Sequence, residues 1–124
     1  MRRLRNAYLG LALLFLVGLV VQFFLAGLGV FDAESFEAHR TLGFVLQAIA
    51  ILLLVLALVG RLGSSLVRPS ALLAVLAIAQ SFFIAAEDSA PYVAALHVVN
   101  ALAIAVVGAL VVHRAWRRER EVAP

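Results

Sequence analysis

Apolar residues fill most of this chain in four blocks, separated by short clusters of arginine, acid, glycine, proline and serine. The first runs from Ala7 to about Val30, the second from Ser35 to Arg61, the third from Pro69 to Ala86, and the fourth from Pro91 to about Trp116. At about 1.5 Å rise per residue, each can cross a hydrocarbon layer of about 30 Å or come close to it. The pattern predicts an all-α fold: an integral membrane four-helix bundle, a single domain over residues 1–124, with helices at about 7–30, 35–61, 69–86 and 91–116.

The breaks have recognisable chemistry. Phe31-Asp-Ala-Glu-Ser offers Asp32 and Ser35 as helix caps. Arg61-Leu-Gly-Ser-Ser-Leu-Val-Arg-Pro reads as a turn, with Pro69 in the first turn of the third helix. Glu87-Asp-Ser-Ala-Pro is a second acidic turn, with Asp88 or Ser89 as cap and Pro91 near the start of the fourth helix. The first block is longer than a signal-peptide core and lacks a small-residue exit, so it is expected to be a retained helix.

Composition narrows the chemistry. The 124 residues are 65% hydrophobic and 14% charged, which leaves no soluble block large enough for a separate catalytic module. The absence of cysteine excludes disulfides, thiolate nucleophiles, iron–sulfur clusters and zinc–thiolate sites. The net charge of +3 comes from arginines that flank the apolar blocks, a topological signal rather than a nucleic-acid patch. Nine of them, Arg2, Arg3, Arg5, Arg61, Arg68, Arg114, Arg117, Arg118 and Arg120, fall on one side, with Arg40 near the other. The expected location is the inner (plasma) membrane of a cell, multi-pass, with both termini cytoplasmic.

Two histidines interrupt the apolar runs, His39 early in the second block and His97 early in the fourth. Gln22 precedes His39 by 17 residues and Gln80 precedes His97 by the same 17, so the two halves are related by an offset of 58. The offset also superposes Phe24 on Phe82 and Gly43 on Ala101. We read an internal repeat: two hairpins of parallel topology about a pseudo-twofold axis along the membrane normal. Both histidines and both glutamines then share one layer in the outer half of the bundle.

An ionisable ring inside a span is a functional hypothesis that needs a named partner. His39 and His97 are expected to be the axial ligands of one b-type haem (haem b), as its metal-binding pair. Gly43 and Ala101, one turn deeper than each histidine, leave room for a flat group. Gln22, Gln80 and Asn100 are expected to orient the imidazoles, and Arg40 to lie near the propionates. The bland alternative makes the same residues helix-packing hydrogen bonds. Gln47 is expected to make a packing hydrogen bond, Glu37 to be solvated, His113 to flank a span, and the Phe23, Phe24, Phe82 and Phe83 group to be core or lipid contact.

Glu37-Ala-His39-Arg40 at the start of the second helix and Ala95-Leu96-His97 near the start of the fourth resemble one half of the haem A synthases. Those proteins join two four-helix bundles, each with a histidine pair on its second and fourth helices. The resemblance implies this fold and a bis-histidine haem site at His39 and His97. It departs from the family in lacking a cysteine pair and a second bundle, and in placing Glu37 two residues before His39. Oxidation of a haem methyl is therefore not carried over, and an enzyme is not the expected class. Gln22-x-Phe24-x-Ala26-Gly27-Leu28-Gly29 and His39-Arg40-x-Leu42-Gly43 also resemble small four-span bacterial membrane proteins of no known function.

The expected function is electron transfer or haem handling, with the lipid bilayer, a quinone or an extracytoplasmic redox partner, and a homodimer or larger complex as partners. The alternative is a non-catalytic accessory or assembly subunit of a membrane complex, without a cofactor. A small transporter is the third class considered. The spans lack interior acids, and the last three lack a mid-membrane proline or Gly-Pro break, which counts against it.

Overall fold

The computed structural model describes residues 2–122. Every regular element is helical: α1 (Arg2–Val30), α2 (Glu37–Val59), α3 (Ser64–Ala85), the short α4 (Pro91–Ala94) and α5 (Leu96–Val122). Ala95, which separates α4 from α5, keeps a right-handed helical backbone, and the two together form the fourth apolar span. Four helices are thus long and apolar enough to cross a membrane.

The helices form a ring. α1 packs on α2, α2 on α3, α3 on α5 and α5 back on α1, while the diagonal pairs α1–α3 and α2–α5 have no close backbone approach among the described residues. One stripe from each helix fills the centre: Tyr8, Ala12, Phe15 and Leu19; Leu46, Ala50, Leu53 and Ala57; Leu66, Ser70, Leu73 and Ala77; Asn100, Ile104, Val107, Val111 and Ala115. Steps of three and four residues keep each stripe on one side of its helix, the spacing of left-handed bundles. Alanine recurs in all four stripes. In a membrane, where apolar lipid competes equally with apolar protein, close approach over small side chains is what favours helix association. Leu14, Val17, Phe24, Phe44, Val75, Phe82, Leu102 and Val106 point outward, available to acyl chains.

The helix ends correct several sequence expectations. Asp32 does not cap α2. It takes a left-handed backbone (φ 55°) that closes α1, with the Ala33 N–H donating to the Leu28 carbonyl at 2.9 Å. Asp tolerates this conformation better than most residues. Arg61 (φ 48°) closes α2 in the same way, through the Leu62 N–H to the Ala57 carbonyl. The residue before α2 is Phe36, and Ser35 makes only a 3.4 Å contact, its Oγ accepting from the Glu37 N–H. Ala90, rather than Asp88 or Ser89, precedes α4.

The larger correction concerns the third helix, which begins at Ser64 and carries Pro69 inside it rather than in its first turn. Proline has no N–H to give the carbonyl four residues earlier. That carbonyl belongs to Ser65, and it accepts a hydrogen bond from Arg114 Nη1 of α5 at 3.1 Å instead. Arg118 Nη1 similarly donates to the Leu62 carbonyl in the preceding turn. Gly63 sits under that guanidinium at φ 85°, where a side chain would be both strained and obstructed. Two arginines that sequence reading treats as topological markers therefore also hold the α2–α3 turn to α5.

Candidate functional site

The polar layer begins where α1 ends and α2 begins. Gln22, near the C-terminal end of α1, reaches α2 and donates from Nε2 to the His39 main-chain carbonyl at 2.8 Å. In return the His39 Nδ1–H donates to the Gln22 main-chain carbonyl at 3.1 Å. Each side chain thus serves the other's backbone. With Nδ1 protonated by this bond, Nε2 carries the lone pair and faces Gln22 Nε2 at 3.4 Å, a long contact. The Phe36 ring meets the imidazole edge-on at 6.0 Å between centroids. Gly43 explains how Gln22 fits: a Cβ there would lie 3.1 Å from Gln22 Nε2.

The second half of the layer is built differently. Gln80 of α3 accepts a hydrogen bond on Oε1 from Asn100 Nδ2 at 2.7 Å, and the same Nδ2 donates to the Leu76 carbonyl at 2.8 Å. Asn100 is buried. Its bonds go to α3 rather than to His97, so it ties α5 to α3 and does not orient the imidazole. The buried Nδ1 of His97 has no partner within hydrogen-bond geometry. Of the two glutamines 17 residues upstream of a histidine, Gln22 bonds its histidine and the Gln80 side chain bonds Asn100 instead.

The two imidazoles nevertheless meet. Their centroids are 6.2 Å apart at an interplanar angle of 63°, although the helices carrying them, α2 and α5, lie on a diagonal of the ring. His39 is the third residue of α2 and His97 the seventh counted from Pro91, so both lie within about two turns of the same end of the bundle. Both are half-buried.

A metal between two imidazoles needs bonds of about 2.0 Å, with each centroid about 1 Å behind its nitrogen, so linear ligation spaces the centroids by about 6 Å. The 6.2 Å centroid spacing is of that size, and the bond at Nδ1 leaves a lone pair on His39 Nε2. The Gln22 amide occupies the space beside Gly43 and touches that nitrogen, so it is the side chain that must move for a metal to reach it. Among the described residues, no group of three or more His, Asp or Glu side chains comes together.

The other candidates lie around this layer. Ala101 is half-buried below His97, and Arg40 is exposed at the rim. Glu37 and His113 are exposed. Phe23, Phe24 and Phe82 face outward as lipid contacts, with Phe83 half-buried. Gln47 does make a hydrogen bond, accepting from Ser81 Oγ at 2.8 Å, but on the outer flank of α2 and α3.

Sequence reading passes over a second diagonal contact. In the opposite half of the bundle, Tyr8 of α1 is fully buried and its hydroxyl lies 2.7 Å from Ser70 Oγ of α3, which donates to the Leu66 carbonyl at 2.8 Å. The Tyr8 hydroxyl is therefore the donor to Ser70. A tyrosine inside an apolar block, with a serine in an otherwise apolar stripe, is the signal that would have found it.

A family model described as "Family of unknown function (DUF6220)" matches residues 22–86. No curated protein and no solved structure matches the chain.

Proposed function

Since the chain belongs to this family of unknown function, whose description assigns no activity, we propose a function from the site itself: His39 and His97 hold one b-type haem near the outer face. The single observation that carries the reading is the 6.2 Å meeting of two imidazoles from helices whose backbones stay apart. The two imidazoles would supply two nitrogen ligands, and because His39 Nδ1–H donates to the Gln22 carbonyl, Nε2 is the atom left to bind. Gly43 and Ala101 put small residues below the rings, with the Gln22 amide lying against Gly43, and Arg40 stands exposed at the rim as a cation for a carboxylate. When bound, such a group would supply one-electron redox chemistry, which suits electron transfer or haem handling. The resemblance of the His39 and His97 surroundings to half a haem A synthase supports the same site. The arginine distribution supports cytoplasmic termini, which would set this layer toward the outside, within reach of a quinone or an extracytoplasmic redox partner.

A second reading rests on the clasp between Gln22 and His39. Those bonds hold α1 to α2 without any cofactor, as they would in an accessory subunit that packs against a larger membrane complex. Absorption spectra separate the two. Protein purified with haem supplied should show a Soret band with sharpened α and β bands on reduction, lost in His39→Ala and in His97→Ala. A folded, colourless wild type, or a pigment indifferent to both substitutions, rejects bis-histidine ligation in favour of the packing role.

A further inference from the structure

One polar pair of the bundle faces outward. Gln47 lies ten residues into α2, so its Cα is about 15 Å from the helix start, well inside a hydrocarbon core about 30 Å thick. There its Oε1 accepts from Ser81 Oγ of α3 at 2.8 Å, on the exposed flank of the two helices. The two N–H groups of the amide have no partner among the described residues. Water is absent at that depth, and lipid offers no acceptor, so an outward amide in this position calls for a protein partner. Phe44 and Ile51 of α2 and Ile78 and Ala85 of α3 surround the pair and are themselves exposed.

We propose that this flank of α2 and α3 is the contact surface for a second copy of the chain, with Gln47 meeting Gln47. The inference is independent of the haem reading. Copies that insert with the same charge-determined orientation can pair symmetrically only about an axis along the membrane normal. Such an axis sets every residue opposite its own copy at one depth. A carboxamide is self-complementary there, because it both donates and accepts. Each Oε1 has two lone pairs, one taken by Ser81 and one free for the partner's N–H, so a reciprocal pair satisfies the acceptors and one N–H of each amide. Any other membrane protein would have to present its own acceptor at the same level, which nothing in this chain specifies.

The absence of cysteine makes the test direct. Ile51→Cys, one turn deeper on the Gln47 stripe, and Phe44→Cys, one turn shallower, each create a single thiol beside the amide. Val106→Cys places a thiol on the exposed side of α5. With purified protein in liposomes, oxidation or a short bis-maleimide should yield covalent dimer from Ile51→Cys and Phe44→Cys, and little from Val106→Cys. Adding Gln47→Leu should weaken association about tenfold, read as energy transfer between labelled thiols during dilution with lipid, while helicity stays unchanged. Monomer at all lipid ratios overturns the proposal. So does cross-linking centred on Val106, or dimerisation that Gln47→Leu leaves untouched.

Discussion

The contact between Gln22 and His39 makes an unusual prediction for a double-mutant cycle. The two residues touch, and neighbours of this kind ordinarily couple by about 0.5–3 kcal/mol. Here, however, the shorter bonds run to main-chain carbonyls: the Gln22 amide to His39 at 2.8 Å, the His39 ring to Gln22 at 3.1 Å. Gln22→Met keeps the carbonyl that His39 needs, and His39→Phe keeps the carbonyl that Gln22 needs. Only the 3.4 Å contact between the two side chains disappears in both single mutants. A hydrogen bond inside a membrane protein contributes about 0.6 kcal/mol on average and up to about 1.7. Each single substitution should therefore cost about 1 kcal/mol, the double about 2, and the coupling should stay within about 0.5. The assay is unfolding of the detergent-solubilised protein by titrated dodecyl sulfate, followed by helicity. A coupling above about 1 kcal/mol would refute the assignment of the energy to the two carbonyl bonds, and would mean that side chain binds side chain.

Two further outcomes follow from the packing. Arg114→Met should destabilise the protein by about 1 kcal/mol by leaving the Ser65 carbonyl bare, and the loss should shrink in a Pro69→Ala background, where the helix itself supplies an N–H; the same unfolding assay measures both. Leu53→Ala removes a side chain that is 0% exposed at the centre of the bundle and should cost about 2–5 kcal/mol, seen as a lower thermal midpoint in detergent, whereas Leu58→Ala on the lipid side should change it little.

The four spans and their order were legible because length and hydropathy report membrane crossing directly. The stripe that packs was not. In blocks apolar on every side, Leu53 and Leu58 look alike, and only the recurrence of Ala12, Ala50, Ala57, Ala77 and Ala115 at bundle spacing marks the inner face. Pro69 misled for a physical reason: proline usually opens a helix because an interior one orphans a carbonyl, and a guanidinium 49 residues away supplies the missing donor. That Gln22 shares a layer with His39 was readable from the paired 17-residue spacings, whereas the exchange of bonds to each other's main chain was not. The partners of Asn100 were not, since a buried amide bonds whichever carbonyl or amide the neighbouring helix presents, here Leu76 and Gln80. Tyr8 and Ser70 escaped because a lone hydroxyl in an apolar block carries no charge or spacing that marks it.

The two diagonal meetings lie near opposite ends of the bundle and run at cross purposes. Tyr8 with Ser70 spans α1 to α3, and His39 with His97 spans α2 to α5. Like a pair of crossed struts in a square frame, they oppose skewing along either diagonal. A carrier that rocked the α1–α2 hairpin against the other would have to separate both struts in every cycle. Under the haem proposal, a frame that keeps both contacts would hold the two imidazoles at a constant separation.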